Sequence, residues 1–332
     1  MAEPVGTIEV SKRSVSALLA AMSRTGFQGK KLGEVAGIWS EMAKQKGLTI
    51  FMGLTGSLST TGQWKIIRWL IEKRYIDVLV STGANISEDI LEAIGYHYYQ
   101  GTWLADDEEL LKMKIDRFYD VYADEMQYRK LENTIYRFAS GLDPKMVYST
   151  REFLHLFGEY LSKRGIDSIV AAAYERKVPI YSPGLIDSGY GVALILLKRQ
   201  KGKLIRLDQT RDMEELAQIA EKTKRTGVVY LGGGVPKDTI QLSTIIKSLA
   251  RGGEEETPHE YAIQITADSP QWGGLSGCTL EEAVSWGKIS SNAKKATLYA
   301  DITLALPLVT HALNESVDKR ADPPDLSWVF RA

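Results

Sequence analysis

Gly227-Val228-Val229-Tyr230-Leu231-Gly232-Gly233-Gly234 decides the fold. A short apolar run ends in a glycine triplet, and a helical pattern from Asp238 to Ala250 follows. Strand, glycine turn and helix make the β-α step of an open α/β sheet. The step recurs. Leu48 to Leu54 leads into Thr55-Gly56-Ser57-Leu58-Ser59-Thr60-Thr61-Gly62, and Asp77 to Ser81 leads into Thr82-Gly83-Ala84-Asn85. Val178 to Tyr181, Val192 to Leu197, Tyr261 to Ile265 and Ala296 to Ala300 read as further strands. Continuously apolar strands belong to parallel sheets covered on both faces.

Helical patterns lie between them. Gln63 to Lys73 places Ile66, Ile67, Leu70 and Ile71 on one face. Ser87 is placed to cap a helix beginning at Glu88. Lys145 to Arg164 and Asp167 to Glu175 read as two more helices. The expected fold is α/β: a doubly wound, mostly parallel Rossmann-like sheet with helices on both faces and extra N-terminal helices. Residues 1–45 form the N-terminal helical segment, residues 46–320 a single domain, and residues 321–332 an extended tail. Gln100 to Gly141, rich in charge and aromatics, reads as helical excursions or a subunit-contact surface, and Glu254-Glu255-Glu256 as part of a solvated loop.

Composition narrows the function. The 332 residues are 44% hydrophobic and 25% charged, with a net charge of -1. Nothing there points to a sequence-independent hold on nucleic acid. The single cysteine, Cys278, excludes an internal disulfide and a cysteine-rich zinc site. His97, His155, His259 and His311 are scattered, so no metal site is expected. No run of 18 apolar residues exists, so no membrane helix is expected. Met1 to Glu9 carries Glu3 and Glu9 and no apolar core of a signal peptide, and the expected location is cytoplasmic.

The glycine turns lie where ligands bind in open α/β sheets, at the carboxyl ends of strands. Small residues there let backbone amides approach a phosphate at a helix N-terminus. None is a G-x-G-x-x-G or Walker A motif, and each singly is an ordinary tight connection. Three of them on different strands point to a nucleotide-sized ligand.

Lys288 closes the run Glu281-Glu282-Ala283-Val284-Ser285-Trp286-Gly287-Lys288. One reading is a cation at a helix C-terminus. The other is a buried amine that attacks an imine or carbonyl carbon. Thr279-Leu280-Glu281-Glu282 has the form of a capping box, which by itself accounts for Glu282. Glu282 and Trp286, four residues apart on one helical face, also make a carboxylate and an aromatic wall suited to an alkylammonium ion. Cys278 has no histidine near it in sequence and is a weak candidate nucleophile.

The string Glu282-Ala283-Val284-Ser285-Trp286-Gly287-Lys288-Ile289, together with Gly232-Gly233-Gly234-Val235-Pro236-Lys237, Val80-Ser81-Thr82-Gly83-Ala84-Asn85 with Glu88-Asp89, and Tyr299-Ala300-Asp301, resembles the deoxyhypusine synthase family. The resemblance covers roughly Lys31 to Ser316. It implies an NAD-binding domain, a homotetramer with active sites between subunits, and aminobutyl transfer from spermidine through an imine on Lys288. It implies NAD contacts at Thr82, Gly83, Ala84, Glu88, Asp187, Gly233, Ala267, Asp268 and Asp301. It implies polyamine contacts at Gly273, Ser276, Glu282 and Trp286.

The amine cradle departs from the family pattern. Val192, Leu275 and Trp272 stand where family members carry aspartates. Asp238 replaces a histidine, Leu242 an asparagine and Gln264 a tyrosine. Asp238 is therefore a candidate to replace a lost carboxylate, and Trp272 a rebuilt part of the substrate pocket. The acceptor is then either a lysine of the hypusine-bearing translation factor or, as in homospermidine synthesis, putrescine or another free diamine. A non-catalytic NAD- and polyamine-binding paralogue and a simple NAD-dependent dehydrogenase are the further alternatives.

Overall fold

The structure is a computed structural model that describes residues 3–250, 252 and 257–331. Glu254-Glu255-Glu256 lies outside the described residues. Six strands carry the architecture: β1 Leu48–Leu54, β2 Val78–Thr82, β3 Ile180–Gly184, β4 Arg225–Leu231, β5 His259–Thr266 and β6 Ile289–Tyr299. Two compact units divide the chain. The first comprises Met1–Thr55, Lys73–Val80 and Met213–Ala332, and the second Gly56–Glu72 and Ser81–Asp212.

In the first unit the strand order is β6-β5-β4-β1-β2. β1 pairs in parallel with β4 from Leu48 opposite Arg225 to Leu54 opposite Leu231. β5 runs parallel to β4 and to β6. Every residue of β1 is buried, as expected of a strand covered on both faces. Helix Phe27–Lys44 buries Val35, Trp39 and Met42, and Trp39 donates its indole N–H to the Tyr75 carbonyl at 3.3 Å. The chain returns to the sheet at its other end. Buried Arg320 donates to the carbonyls of Ala43 and Gln45 at 3.2 and 2.9 Å, and lies 3.6 Å from buried Asp77. Leu326 and Val329, beyond residue 320, are buried as well.

The parallel strands bring their carboxyl ends to one edge. Thr55 follows β1, Gly232 to Gly234 follow β4, Ala267 and Asp268 follow β5, and Ala300 and Asp301 follow β6. Helices Gly234–Ala250 and Ile302–Ser316 begin from this edge.

The second unit holds β3, with helices Trp64–Glu72, Asn85–Ala93, Thr150–Ser162, Ile169–Arg176 and Gly189–Lys201. Here several expectations are corrected. Val192 to Leu197 is not a strand but the middle of helix Gly189–Lys201, started by Ser188, whose hydroxyl accepts from the Tyr190 N–H. Periodicity alone does not separate a short apolar run in a strand from one in a helix. Ser87 caps nothing: the helix begins at Asn85, and the Ser87 hydroxyl donates back to the Ala84 carbonyl. The helix expected from Lys145 starts at Thr150, where Ser149 and Glu152 form a reciprocal capping box. Gln100 to Gly141 contains helices Asp107–Met113 and Glu125–Ser140, and between them an antiparallel hairpin, Ile115–Phe118 with Val121–Asp124.

Candidate active site

Lys288 owes its position to a helix stop. Thr279 starts helix Leu280–Ser285 by accepting the Glu282 N–H at 2.9 Å. Gly287 ends it in the left-handed region at φ 66°. Its N–H donates to Val284 and the Lys288 N–H donates to Ala283, both at 3.0 Å. This pair of backward bonds is the Schellman motif, and glycine is the residue that adopts its left-handed position without strain. The Lys288 carbonyl then accepts from His259 at 3.1 Å, at the start of β5 and β6. The lysine backbone is thus held on both sides.

Its side chain reaches helix Gly234–Ala250. The ammonium donates to Asp238 Oδ1 at 3.0 Å, and the Lys288 side chain is 11% exposed. The Trp286 ring lies 5.3 Å from the same nitrogen, within cation–π range. These groups face a cavity of about 340 Å³ whose lining includes Asp238, Glu282, Trp286, Lys288 and Gly273. Leu242, Ile245 and Leu275 supply an apolar wall. Of the residues expected to hold amine, Asp238, Gly273, Glu282 and Trp286 therefore converge on Lys288.

Trp272 and Ser276 are placed differently. Trp272 ends the turn Pro270–Trp272 and is 76% exposed. Ser276 lies against the glycine turn: a Cβ added at Gly233 would sit 2.4 Å from Ser276 Cα. Val192 belongs to the second unit, on an exposed stripe with Ile195 and Leu196. Sequence reasoning missed Lys237, Gln241 and Ile245, which also line the cavity. Lys237 is the notable omission, because a lysine in a helix's first turns reads as a solvent residue. It is 1% exposed, and burial pushes its ammonium below the usual lysine range. Burial also raises the Cys278 thiol, the reverse of an activated nucleophile.

The expected cofactor residues fall in two groups. In the first unit Gly233 sits between Gly232 and Gly234, both at positive φ. Its N–H donates to Thr55 Oγ1 at 3.3 Å. Ala267 and Asp268 are exposed after β5, and Asp301 caps helix Ile302–Ser316 by accepting the Thr303 N–H at 2.7 Å. In the second unit Thr82, Gly83 and Ala84 lead into helix Asn85–Ala93. Asn85, not expected from sequence, ties this turn to the preceding one. Its amide donates to Gly56 O at 2.7 Å and Thr82 Oγ1 at 2.9 Å, and its carbonyl accepts from Leu58 N–H at 2.8 Å. Gly83 presses on the turn that carries Asp187: an added Cβ would lie 2.5 Å from Ser188 Oγ and 2.7 Å from Leu185 O.

Glu88 is 5% exposed, with Ser57 and Tyr128 hydroxyls as partners, the latter at 3.4 Å. Burial dominates over these bonds and pushes its carboxyl up to about 7. Its neighbour Asp89, fully buried and accepting the Ile169 N–H at 2.7 Å, is also raised to about 7 by burial. No cluster able to hold a metal ion exists among the described residues, and none of the helices described is long and apolar enough to cross a membrane.

Comparison with known proteins shows the family. A family model described as deoxyhypusine synthase matches residues 17–313. The "probable deoxyhypusine synthase 2" of Methanosarcina acetivorans is 47% identical over 98% of this chain and 94% of its own. That of Archaeoglobus fulgidus is 49% identical over 88% of this chain and 95% of its own. A solved structure of a protein assigned as a deoxyhypusine synthase from Entamoeba histolytica shares the fold, with a TM-score of 0.64 at 17% identity, over 92% of this chain and 94% of that one. The chain belongs to the deoxyhypusine synthase family, transferases of the aminobutyl group.

Proposed function

We propose that this protein transfers the 4-aminobutyl group of spermidine through an imine on Lys288, with NAD as cofactor and a lysine of the hypusine-bearing translation factor as acceptor. The observation that carries the reading is the 3.0 Å pair of Lys288 with Asp238 beside Trp286, in a cavity that also contains Glu282.

NAD-contacting roles are assigned, from the family resemblance, to Thr82, Gly83, Ala84, Glu88, Asp187, Gly233, Ala267, Asp268 and Asp301. Glycine turns at strand ends suit the phosphates of a dinucleotide, and carboxylates suit its sugar hydroxyls. A doubly wound, mostly parallel Rossmann-like sheet is the corresponding fold assignment. Bound NAD supplies the acceptor, and later the source, of one hydride.

The chain's own residues do the rest. Glu282 and the Trp286 ring hold a cationic amine end. Asp238 takes a proton from the Lys288 ammonium and frees its lone pair. The amine attacks the carbon of the oxidised substrate's C=N bond and forms a new C–N bond. The old C–N bond breaks, and 1,3-diaminopropane leaves with the proton returned through Asp238. The acceptor amine then displaces Lys288 by the same exchange. A cytoplasmic homotetramer completes the reading. Contact between subunits is supported by the exposed apolar stripe Val192, Ile195 and Leu196, and by exposed Trp272, Leu275 and Trp286.

The test is incubation with NAD and labelled spermidine, followed by borohydride. The expected result is 1,3-diaminopropane release and a reduced adduct on Lys288, absent in Lys288→Ala. Absence of both from the wild type sinks the reading. The apolar wall of Leu242, Ile245 and Leu275 favours a second version, in which a small diamine with few charges is the acceptor. Parallel incubations with putrescine and with the translation-factor precursor separate the two. A chain that binds NAD and polyamine but forms no adduct is the non-catalytic paralogue, and net NADH accumulation marks a dehydrogenase.

A further inference from the structure

Lys237 lines the cavity and reaches Gln264 of β5, in the same unit. Both are buried, at 1% exposure each. A buried ammonium is costly unless all its donors are met. Lys237 has three donors and three acceptors: Gln264 Oε1 at 3.1 Å, the Leu275 carbonyl at 3.4 Å, and the Cys278 carbonyl. The Gln264 amide donates in turn to the carbonyls of Gly232 and Ser276, both at 2.8 Å. An ammonium has no acceptor, so its presence dictates which end of the Gln264 amide faces it.

Two side chains thus gather three carbonyls of one loop, those of Leu275, Ser276 and Cys278. That segment lies between the turn Pro270–Trp272 and helix Leu280–Ser285 and contains Gly273, Gly274 and Gly277. The loop has no strand or helix ladder of its own to satisfy these carbonyls. It is also the part of the wall that leads into Thr279, Glu282 and Lys288. Lys237 itself precedes Asp238, so one end of the pair sits beside the partner of Lys288.

We propose that Lys237 and Gln264 are a positioning pair, which locks the Leu275–Cys278 loop onto the glycine turn and thereby sets the cavity geometry around Lys288. Neither side chain touches the reacting atoms in this role. The catalytic consequence rests on the reading of Lys288 given above; the structural claim does not.

Two variants test it. Lys237→Met removes all three donors. Gln264→Glu keeps an acceptor for Lys237 but loses the donors to Gly232 and Ser276, and an added carboxylate opposite the ammonium favours a folded chain. Hydrogen exchange of the free protein reads the loop directly. The expected result is exchange at residues 275–279 accelerated about 10-fold or more in each variant, with β1 and β4 unchanged. In steady-state assays kcat/KM for the amine should fall about 10- to 100-fold, with NAD affinity within about threefold of wild type. Should wild type prove inactive with every amine, the exchange arm still decides the structural claim. Exchange at 275–279 within twofold of wild type in folded Gln264→Glu overturns the pair, as does amine kcat/KM unchanged in a variant whose loop has loosened.

Discussion

Asp238 and Glu88 both stand near the start of a helix that follows a glycine turn, but their carboxylates are answered differently. Asp238 meets an ammonium at 3.0 Å and is partly open to the cavity. Glu88 is enclosed, meets hydroxyls and has buried Asp89 beside it. A cation compensates a partly buried carboxylate directly, whereas hydroxyls only offset part of the desolvation cost. The difference separates a carboxylate paired with a cation from one that meets only neutral donors.

Lys288→Arg should have the largest effect. Arginine keeps a cation opposite Asp238 but is no nucleophile. Aminobutyl transfer should fall by about 10⁴-fold or more, the scale seen when a nucleophile is removed. The melting temperature should change little, because the ion pair is retained. Retained turnover with a wild-type-like adduct elsewhere in the chain would show that another amine is the carrier.

Asp238→Asn comes next. The amide still accepts a hydrogen bond from Lys288 but takes no proton. kcat should drop about 10²- to 10³-fold, the range of a lost general base. Quantifying the borohydride-trapped adduct under single-turnover conditions checks it. Undiminished adduct formation would remove Asp238 from the proton path and leave it a charge partner only.

Glu88→Gln tests the other side. Burial favours the protonated carboxyl in the folded chain, with its midpoint raised from 4.5 to about 7. The unfolded chain therefore binds fewer protons than the folded one across that window. Stability from this group is full below about pH 4.5, declines as pH rises to 7, and remains low above. Asp89, also raised to about 7, adds a slope of the same sign. Glutamine should stabilise the NAD-free protein at pH 8 by about 1–3 kcal/mol, shrinking towards zero at pH 4.5. The same substitution should weaken NAD binding. Urea unfolding at both pH values decides, and an equal effect at both would mean that Glu88 does not titrate in this window.

Much of this contrast is legible in the sequence at Lys288 and little of it at Glu88. The Lys288 neighbourhood is coded locally: Thr279, Glu282, Trp286 and Gly287 lie within ten residues, and their spacing specifies a cap, a face and a stop. β1, β4 and β5 were readable for a similar reason, since a run buried on both faces is apolar throughout. The environment of Glu88 comes from Ser57 and Tyr128, 31 and 40 residues away in sequence, and no local pattern announces it. Lys237 was hidden because its partners, Gln264, Leu275 and Cys278, come from a strand and a loop that only folding brings near. Helix Gly189–Lys201 reads as a strand in sequence because its run from Val192 to Leu197 is apolar although Val192, Ile195 and Leu196 are exposed. Apolar residues open to solvent make a helix look buried, and a buried run of six looks like a strand.

Thr279→Ala has the smallest expected effect and isolates how much of the Lys288 geometry is local. Helix Leu280–Ser285 has only six residues, too few to persist on its own propensity. Its first turn rests on the Thr279 hydroxyl, which accepts the Glu282 N–H at 2.9 Å. Alanine removes that acceptor and should cost about 1 kcal/mol, while Thr279→Ser should restore it. If the cap helps to aim Glu282 and the following Schellman stop, amide exchange at residues 282–288 should quicken in Thr279→Ala and recover in Thr279→Ser. Exchange there that matches wild type, alongside the expected loss in stability, would place the control of Lys288 in its two backbone bonds, to Ala283 and His259, rather than in the cap.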